Sequence, residues 1–229
     1  MIRSIFATLS VFVAISAVSA QGCKASGVGD PCIPEQEYKA DFSGFDPQEV
    51  NVESKSFQCL TRLCLVNHFR GRVTCPYGQS SDGSSLPSVD GATGGAFPGQ
   101  DPNGVYADKC TIPGGDKGNS GDLITGPASS PNGAQVEPQC VDREASNTVY
   151  CSCRCANADN KTDDGANYCT CPDGFQCSQL VNPVAGSGNE FLAGAYCIKK
   201  GTEYQDFGSC ESPCDPNVPS QNCAGPSIR

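Results

Sequence analysis

The chain has 229 residues, 25 acidic against 15 basic, a formal net charge of −10 and 17 cysteines, with no Trp and an aromatic content of 7%. That acidity argues against binding nucleic acid through phosphate contacts. The scarcity of large aromatic side chains, beside 26 Gly and 17 Pro, argues against a large conventional core, while the cysteines reach the density of an exported disulfide scaffold.

Residues 1–22 read as a secretory signal. Arg3 supplies a positive start, and residues 5–17 form an apolar run broken only by Thr8, Ser10 and Ser16. The run is shorter than the roughly 20 residues a membrane span requires. Two processing routes are open. Cleavage after Val18-Ser19-Ala20 leaves Gln21 at the new terminus. Alternatively, Ala20-Gln21-Gly22-Cys23 fits the permissive form of a bacterial lipoprotein signal, with Ala20 where Leu is usual, so that Cys23 becomes acylated. Parity favours the second route, because acylating Cys23 leaves 16 cysteines, enough for eight disulfides. Lipidation of Cys23, and through it attachment to a membrane, is the expectation. The alternative is a freely secreted chain with Cys23 paired to a neighbour such as Cys32. Losing the signal also removes Arg3, which makes the mature chain more acidic still.

Residues 23–77 form an N-terminal cysteine-rich β region. Its first part, rich in Gly and Pro, reads as loop pinned at Cys32. From Val50 to Val73 apolar and polar residues alternate over short spans, the period of strands. A tight turn through Gly71, where positive φ costs glycine little, joins two of them in this reading, with Cys59, Cys64 and Cys75 as staples. Residues 78–139 are a Gly/Pro/Ser-rich loop segment. Pairs such as Asp82-Gly83, Asn103-Gly104 and Asn132-Gly133 mark turns, and Cys110 tethers the segment to the body.

Residues 140–229 form a C-terminal cysteine-rich β-hairpin region. Val149, Cys151, Cys153 and Cys155 alternate as on one face of a strand, and Tyr168 to Cys171 mirror them, so two cysteine-bearing strands are expected to pair. A Pro172–Gly174 turn follows, then one helical turn at residues 178–184 and a strand at residues 194–199. The tail carries Cys210, Cys214 and Cys223. The fold class that results is small, disulfide-rich and mainly β with extensive loops, its short hairpins accompanied by little helix outside the signal.

CSCRC at residues 151–155 and CTC at residues 169–171 offer thiolates at alternating positions, a pattern a soft metal can use. The spacing is not the paired C-x₂-C of structural zinc, and an exported chain oxidises its thiols. Disulfides are therefore expected at Cys32, Cys59, Cys64, Cys75, Cys110, Cys140, Cys151, Cys153, Cys155, Cys169, Cys171, Cys177, Cys197, Cys210, Cys214 and Cys223, with a pairing the sequence leaves open. Asn160 to Gly165 match part of a calcium loop, yet Lys161 sits among the ligands and Cys171 takes the place of the bidentate Glu. The reading preferred is a metal-free loop and no cofactor, with calcium the alternative.

His68 is the only histidine, so a hydrolytic reading must use it with a carboxylate such as Glu53 or Asp46. No G-x-S-x-G elbow supplies a nucleophile, and no catalytic residue is assigned. Arg62, His68, Arg70 and Arg72 form a basic cluster in an acidic chain, with two uses. One is a clamp for an anionic partner; the other, preferred, is pairing with Glu49, Glu53 or Asp46.

GVGDPCIPE at residues 27–35, CLVNHFRGRVTCPYGQ at residues 64–79, VYCSCRCA at residues 149–156 and AGAYCIKKGTEY at residues 193–204 together resemble an uncharacterised group of cysteine-rich bacterial cell-envelope lipoproteins or secreted proteins. The resemblance implies export and envelope attachment, and no particular chemistry. CTCPDGFQC at residues 169–177 partly resembles the closing half of an epidermal-growth-factor module. The expectation is a non-enzymatic lipoprotein of the cell envelope, at the outer membrane, with a structural or binding role toward an envelope or extracellular protein or glycan. A freely secreted binding module and a hydrolase using His68 are the alternatives.

Overall fold

The computed structural model describes residues 27–79, 110–116, 118–124, 136–183, 191–215 and 218. The signal, Cys23, Cys223 and most of residues 78–139 lie outside the described residues. Among the described residues, two three-stranded antiparallel sheets make up the fold, with helix confined to single turns. The small disulfide-rich β architecture expected from composition is the one observed.

The first sheet runs β1 (Val50–Glu53), β2 (Cys64–Asn67) and β3 (Val149–Cys151), with β2 in the centre. Val52 lies opposite Leu65, and Leu65 opposite Tyr150. All four β2 residues are buried, because both faces of this central strand are covered and successive side chains point to opposite sides. Cys64, Val66, Val149 and Cys151 face a cluster completed by Phe45, Phe69 and Val73. Leu65 and Tyr150 face the other way, onto Tyr196 and Ile198 of the second sheet.

That second sheet runs β4 (Arg154–Ala156), β6 (Gly194–Lys199) and β5 (Phe175–Val181), with β6 in the centre. The chain crosses between the sheets at Ser152, which is buried and bonded to both. Its amide donates to the Leu63 carbonyl (3.0 Å) and its hydroxyl to the Cys197 carbonyl (2.7 Å). A single helical turn, α1 (Ala145–Thr148), precedes β3 and is closed by the Thr148 hydroxyl donating to the Glu144 carbonyl (2.8 Å). The β2–β3 pairing and the Cys59–Cys151 bridge join the N-terminal and C-terminal cysteine-rich regions into one structure.

Four local expectations are corrected. The strand read through Val149, Cys151, Cys153 and Cys155 is broken at Ser152, where the chain leaves β3 and passes to β4 of the other sheet. Gly71 does not turn a hairpin; its amide donates to the Phe45 carbonyl (3.0 Å) and its carbonyl accepts from the Phe45 amide (2.8 Å). Its φ is +83°, and a Cβ there would lie 2.2 Å from the Glu137 carbonyl oxygen. Glycine is thus required by close approach of two other segments. Residues 168–171 are not a strand: only the Cys169 amide, donating to the Arg154 carbonyl (3.0 Å), imitates pairing. Pro172 has no N–H to give, and the turn closed by the Phe175 amide on the Pro172 carbonyl (3.0 Å) starts the strand at Phe175 instead. That strand continues to Val181 and takes up residues expected to be helical, because pairing with β6 outweighs local preference. The strand expected at residues 194–199 is β6.

Candidate functional site

The chemically distinctive feature of the chain is its sulfur. Bridges join Cys32 to Cys64, Cys59 to Cys151, Cys75 to Cys110, Cys140 to Cys210, Cys153 to Cys169, Cys155 to Cys177 and Cys171 to Cys197. Cys214 is disulfide-bonded as well. Every described cysteine is therefore cross-linked, including all those of the C-x-C-x-C run, whose alternation serves three different partners. Cys32 closes on Cys64 and so does not pair with Cys23, as the secreted alternative had it. Such a set belongs to an oxidising, extracellular type of compartment.

In the second sheet the bridges touch. The Cys197 sulfur lies 3.7 Å from that of Cys153 and 3.6 Å from that of Cys169. Cys155, Cys171 and Cys177 gather their sulfurs within 4.8 Å of one another, as do Cys32, Cys59 and Cys151 in the first sheet. With each sulfur already bonded to another, these groups are packed disulfides.

The four basic residues do not form one exposed cluster. Arg72 is fully buried; its guanidinium donates to the carbonyls of Glu37, Phe42 (2.7 Å) and Lys39 (3.4 Å). The Glu37 carboxylate beside it, 4.0 Å from Arg72 Nε, accepts from the Val73 amide (2.6 Å), the Thr74 amide (3.0 Å) and the Thr74 hydroxyl (2.7 Å). Burial pushes Glu37 up from the ordinary carboxylate value against these donors. Arg70 donates to the Pro138 carbonyl (2.9 Å) and lies 4.0 Å from Glu137. Intramolecular pairing thus takes up both arginines, with Glu37 and Glu137 in place of the acids the sequence suggested.

His68 stacks flat on Tyr204, ring centroids 4.0 Å apart, and its Nδ1 meets the Pro47 carbonyl at 2.9 Å. A carbonyl only accepts, so Nδ1 carries the proton of the neutral ring. Burial lowers the pKa of His68, with Arg143 adding to that. The carboxylates considered as its partners are engaged locally: Glu53 accepts from the Glu35 amide (3.0 Å) and Asp46 from the Gln48 amide (2.7 Å). Arg143, which the sequence did not single out, is buried and holds three carbonyls, those of His68 (2.7 Å), Asn67 (2.6 Å) and Thr202 (3.0 Å). Nothing in its sequence neighbourhood marks it, because its partners come from two distant segments.

The loop weighed as a calcium site closes on itself. Asp164 accepts from the Tyr168 hydroxyl (2.7 Å), the Asn157 side-chain amide (3.0 Å) and the Ala166 amide (3.1 Å), which hold its carboxyl at about 2. The Asn157 oxygen accepts from the amides of Asp159 and Lys161 (3.0 and 2.8 Å).

Arg62 behaves differently from the other cations. It is exposed on the loop between β1 and β2, its guanidinium 4.4 Å from the centre of the Phe57 ring. Phe57 is 87% exposed and Leu60 64%. The sequence reading passed over both, since two apolar residues in a strand-like run read as interior. Comparison with protein-family models, curated proteins and solved structures finds no match to this chain.

Proposed function

We propose that the chain is a non-enzymatic, disulfide-stapled lipoprotein of the cell envelope, held to a membrane through acylated Cys23 and serving a structural or binding role through its loops. The observation that carries this reading is the sulfur count. Seven bridges and the bonded Cys214 take 15 of the 17 cysteines, leaving Cys23 and Cys223. A single intrachain partner for Cys214 leaves one cysteine over. With Cys223 as that partner, the cysteine over is Cys23, the residue the lipoprotein signal would acylate. The acidic body then stays in water while one lipidated terminus is held at the membrane face.

Intact mass of the mature chain from the membrane fraction tests the reading. A terminus at acylated Cys23 is expected, with no thiol labelled under denaturing, non-reducing conditions. A terminus at Gln21 would overturn the anchor. The non-enzymatic part draws support from His68, whose Nδ1 and ring face are both occupied. Turnover of generic ester, glycoside or peptide substrates that disappears in His68→Ala would establish the hydrolase instead.

A further inference from the structure

Among the described residues three phenylalanines stand almost wholly in solvent: Phe57 at 87%, Phe191 at 88% and Phe207 at 95% exposure. Their surroundings differ. Phe191 follows Glu190, and Phe207 follows Asp206 with Glu203 and Glu211 close by in sequence. Phe57 lies four residues after Glu53, which accepts from the Glu35 amide (3.0 Å), and sits in a stretch, residues 54–81, that contains Lys55, Arg62, Arg70 and Arg72 and no Asp or Glu, within a chain of net charge −10. Arg70 and Arg72 are taken up by carbonyls and carboxylates, while Lys55 and Arg62 are exposed.

The loop that carries Phe57 is also held rigidly from behind. Cys59 is bridged to Cys151. The Gln58 side chain clamps the backbone of Ile33 from both sides, accepting from its amide (3.0 Å) and donating to its carbonyl (2.8 Å). The Ser56 amide donates to the Arg62 carbonyl (3.0 Å), closing the loop. Two apolar side chains and two cations are thus presented with little ordering left to do on contact.

The same contacts fix where the N-terminal segment enters. Ile33 lies on the loop, and the Gly29 amide donates to the carbonyl of Cys151 (2.8 Å), whose own amide donates to the carbonyl of Asp30 (2.8 Å). Cys23 precedes Gly27 by four residues, which span at most about 14 Å. A lipid on Cys23 therefore holds the bilayer within about 14 Å of Gly27, the start of the segment whose Ile33 the loop clamps.

We propose that the β1–β2 loop is a second membrane contact, in which Phe57 and Leu60 enter the acyl boundary of an anionic bilayer and Lys55 and Arg62 meet its phosphates. An amphipathic aromatic and aliphatic tip beside cations is suited to that interface; the carboxylates beside Phe191 and Phe207 are repelled from it. This deepens the lipoprotein reading and rests on it for orientation, and the two are tested separately.

Because the chain has no Trp, Phe57→Trp, Phe191→Trp and Phe207→Trp each create a single indole. The full native chain carrying each one is placed in vesicles of phosphatidylethanolamine and phosphatidylglycerol with brominated acyl chains. The indole at position 57 should blue-shift and be quenched at least about twofold, and those at 191 and 207 should stay unquenched. No quenching at position 57, or equal quenching at all three, overturns the proposal. A Cys23→Ser chain added to the same vesicles isolates the loop from the anchor. It should still blue-shift at position 57 as lipid rises, and Lys55→Glu with Arg62→Glu should raise the lipid needed by about tenfold or more. No shift at any lipid concentration, or no effect of charge reversal, counts against the loop. A failed anchor shows up independently, as a native chain without acyl mass that partitions like Cys23→Ser.

Discussion

Around β1, β2 and β3 the interior is built from Phe45, Val66, Phe69, Val73 and Val149, with bridges set among them. In the corresponding place around β4, β6 and β5 stand Cys153, Cys155, Ala156, Ala195 and Cys197, whose side chains offer little apolar area apart from sulfur. The first sheet also buries charged side chains that bind distant carbonyls, Arg72 and Arg143, while the second has three bridges in contact. Cross-links therefore supplement packing in the first sheet and replace it on one face of the second, whose other face packs Tyr196 and Ile198 against Leu65 and Tyr150. The contrast shows that cysteine density does not by itself say whether a region owns a core.

The strongest challenge to this contrast is removal of Cys59–Cys151, the bridge within the core of the first sheet that ties the N-terminal to the C-terminal cysteine-rich region across a sequence separation of 92. Closing a loop of that length is worth about 4.6 kcal/mol by chain entropy, so Cys59→Ala with Cys151→Ala should lower the unfolding free energy in urea by about that much and loosen the first sheet ahead of the second. Next comes Cys171–Cys197, of separation 26. Its removal should cost about 3.5 kcal/mol on the same basis, and amide exchange should quicken in β5 and β6 while β2 keeps its protection. Equal loss in β2 would break the distinction between the sheets.

A third test sharpens the account of the first sheet. Arg72→Met leaves the Glu37 carboxylate without its neighbouring cation and the carbonyls of Glu37 and Phe42 without their buried donor, a change expected to cost about 3 kcal/mol. Glu37→Gln, which keeps the carbonyl contacts of Arg72, should cost less, as read from denaturant midpoints. The smallest effect concerns His68. Its pKa is lowered in the folded chain, by burial first, so the unfolded chain takes the proton more readily. Stability is then intact above the ordinary histidine value of about 6.5 and is lost as pH falls through the folded value. His68→Gln should flatten that acid-side decline by under about 1 kcal/mol, since the ring is half-exposed and screened; an unchanged urea-midpoint profile would deny His68 the role.

Where the reading of residues succeeded, the signal was local. The short strand expected at residues 194–199 is β6, and Cys110, alone in a Gly-rich stretch, is tied back to Cys75. Where it failed, a distant partner decided. Gly71 reads as a hairpin turn until Phe45 and Glu137 are brought against it. Arg70 and Arg72 sit two apart, as on one strand face, yet Arg72 is fully buried among carbonyls and Arg70 lies against Pro138. The exposed tip at Phe57 and Leu60 was hidden for the opposite reason: apolar residues near strands read as core, and only the loop's outward course exposes them.

The amino-acid order alone was enough to determine a cross-linked, mainly β and loop-rich protein, because cysteine count, glycine and proline content and residue alternation act over a few neighbours. Which cysteine meets which, where the chain passes from one sheet to the other, and which cations are free to meet a partner were decided by tertiary structure. These depend on segments brought together from 92 residues apart and more, and the geometry of closing such loops leaves no mark on either segment by itself.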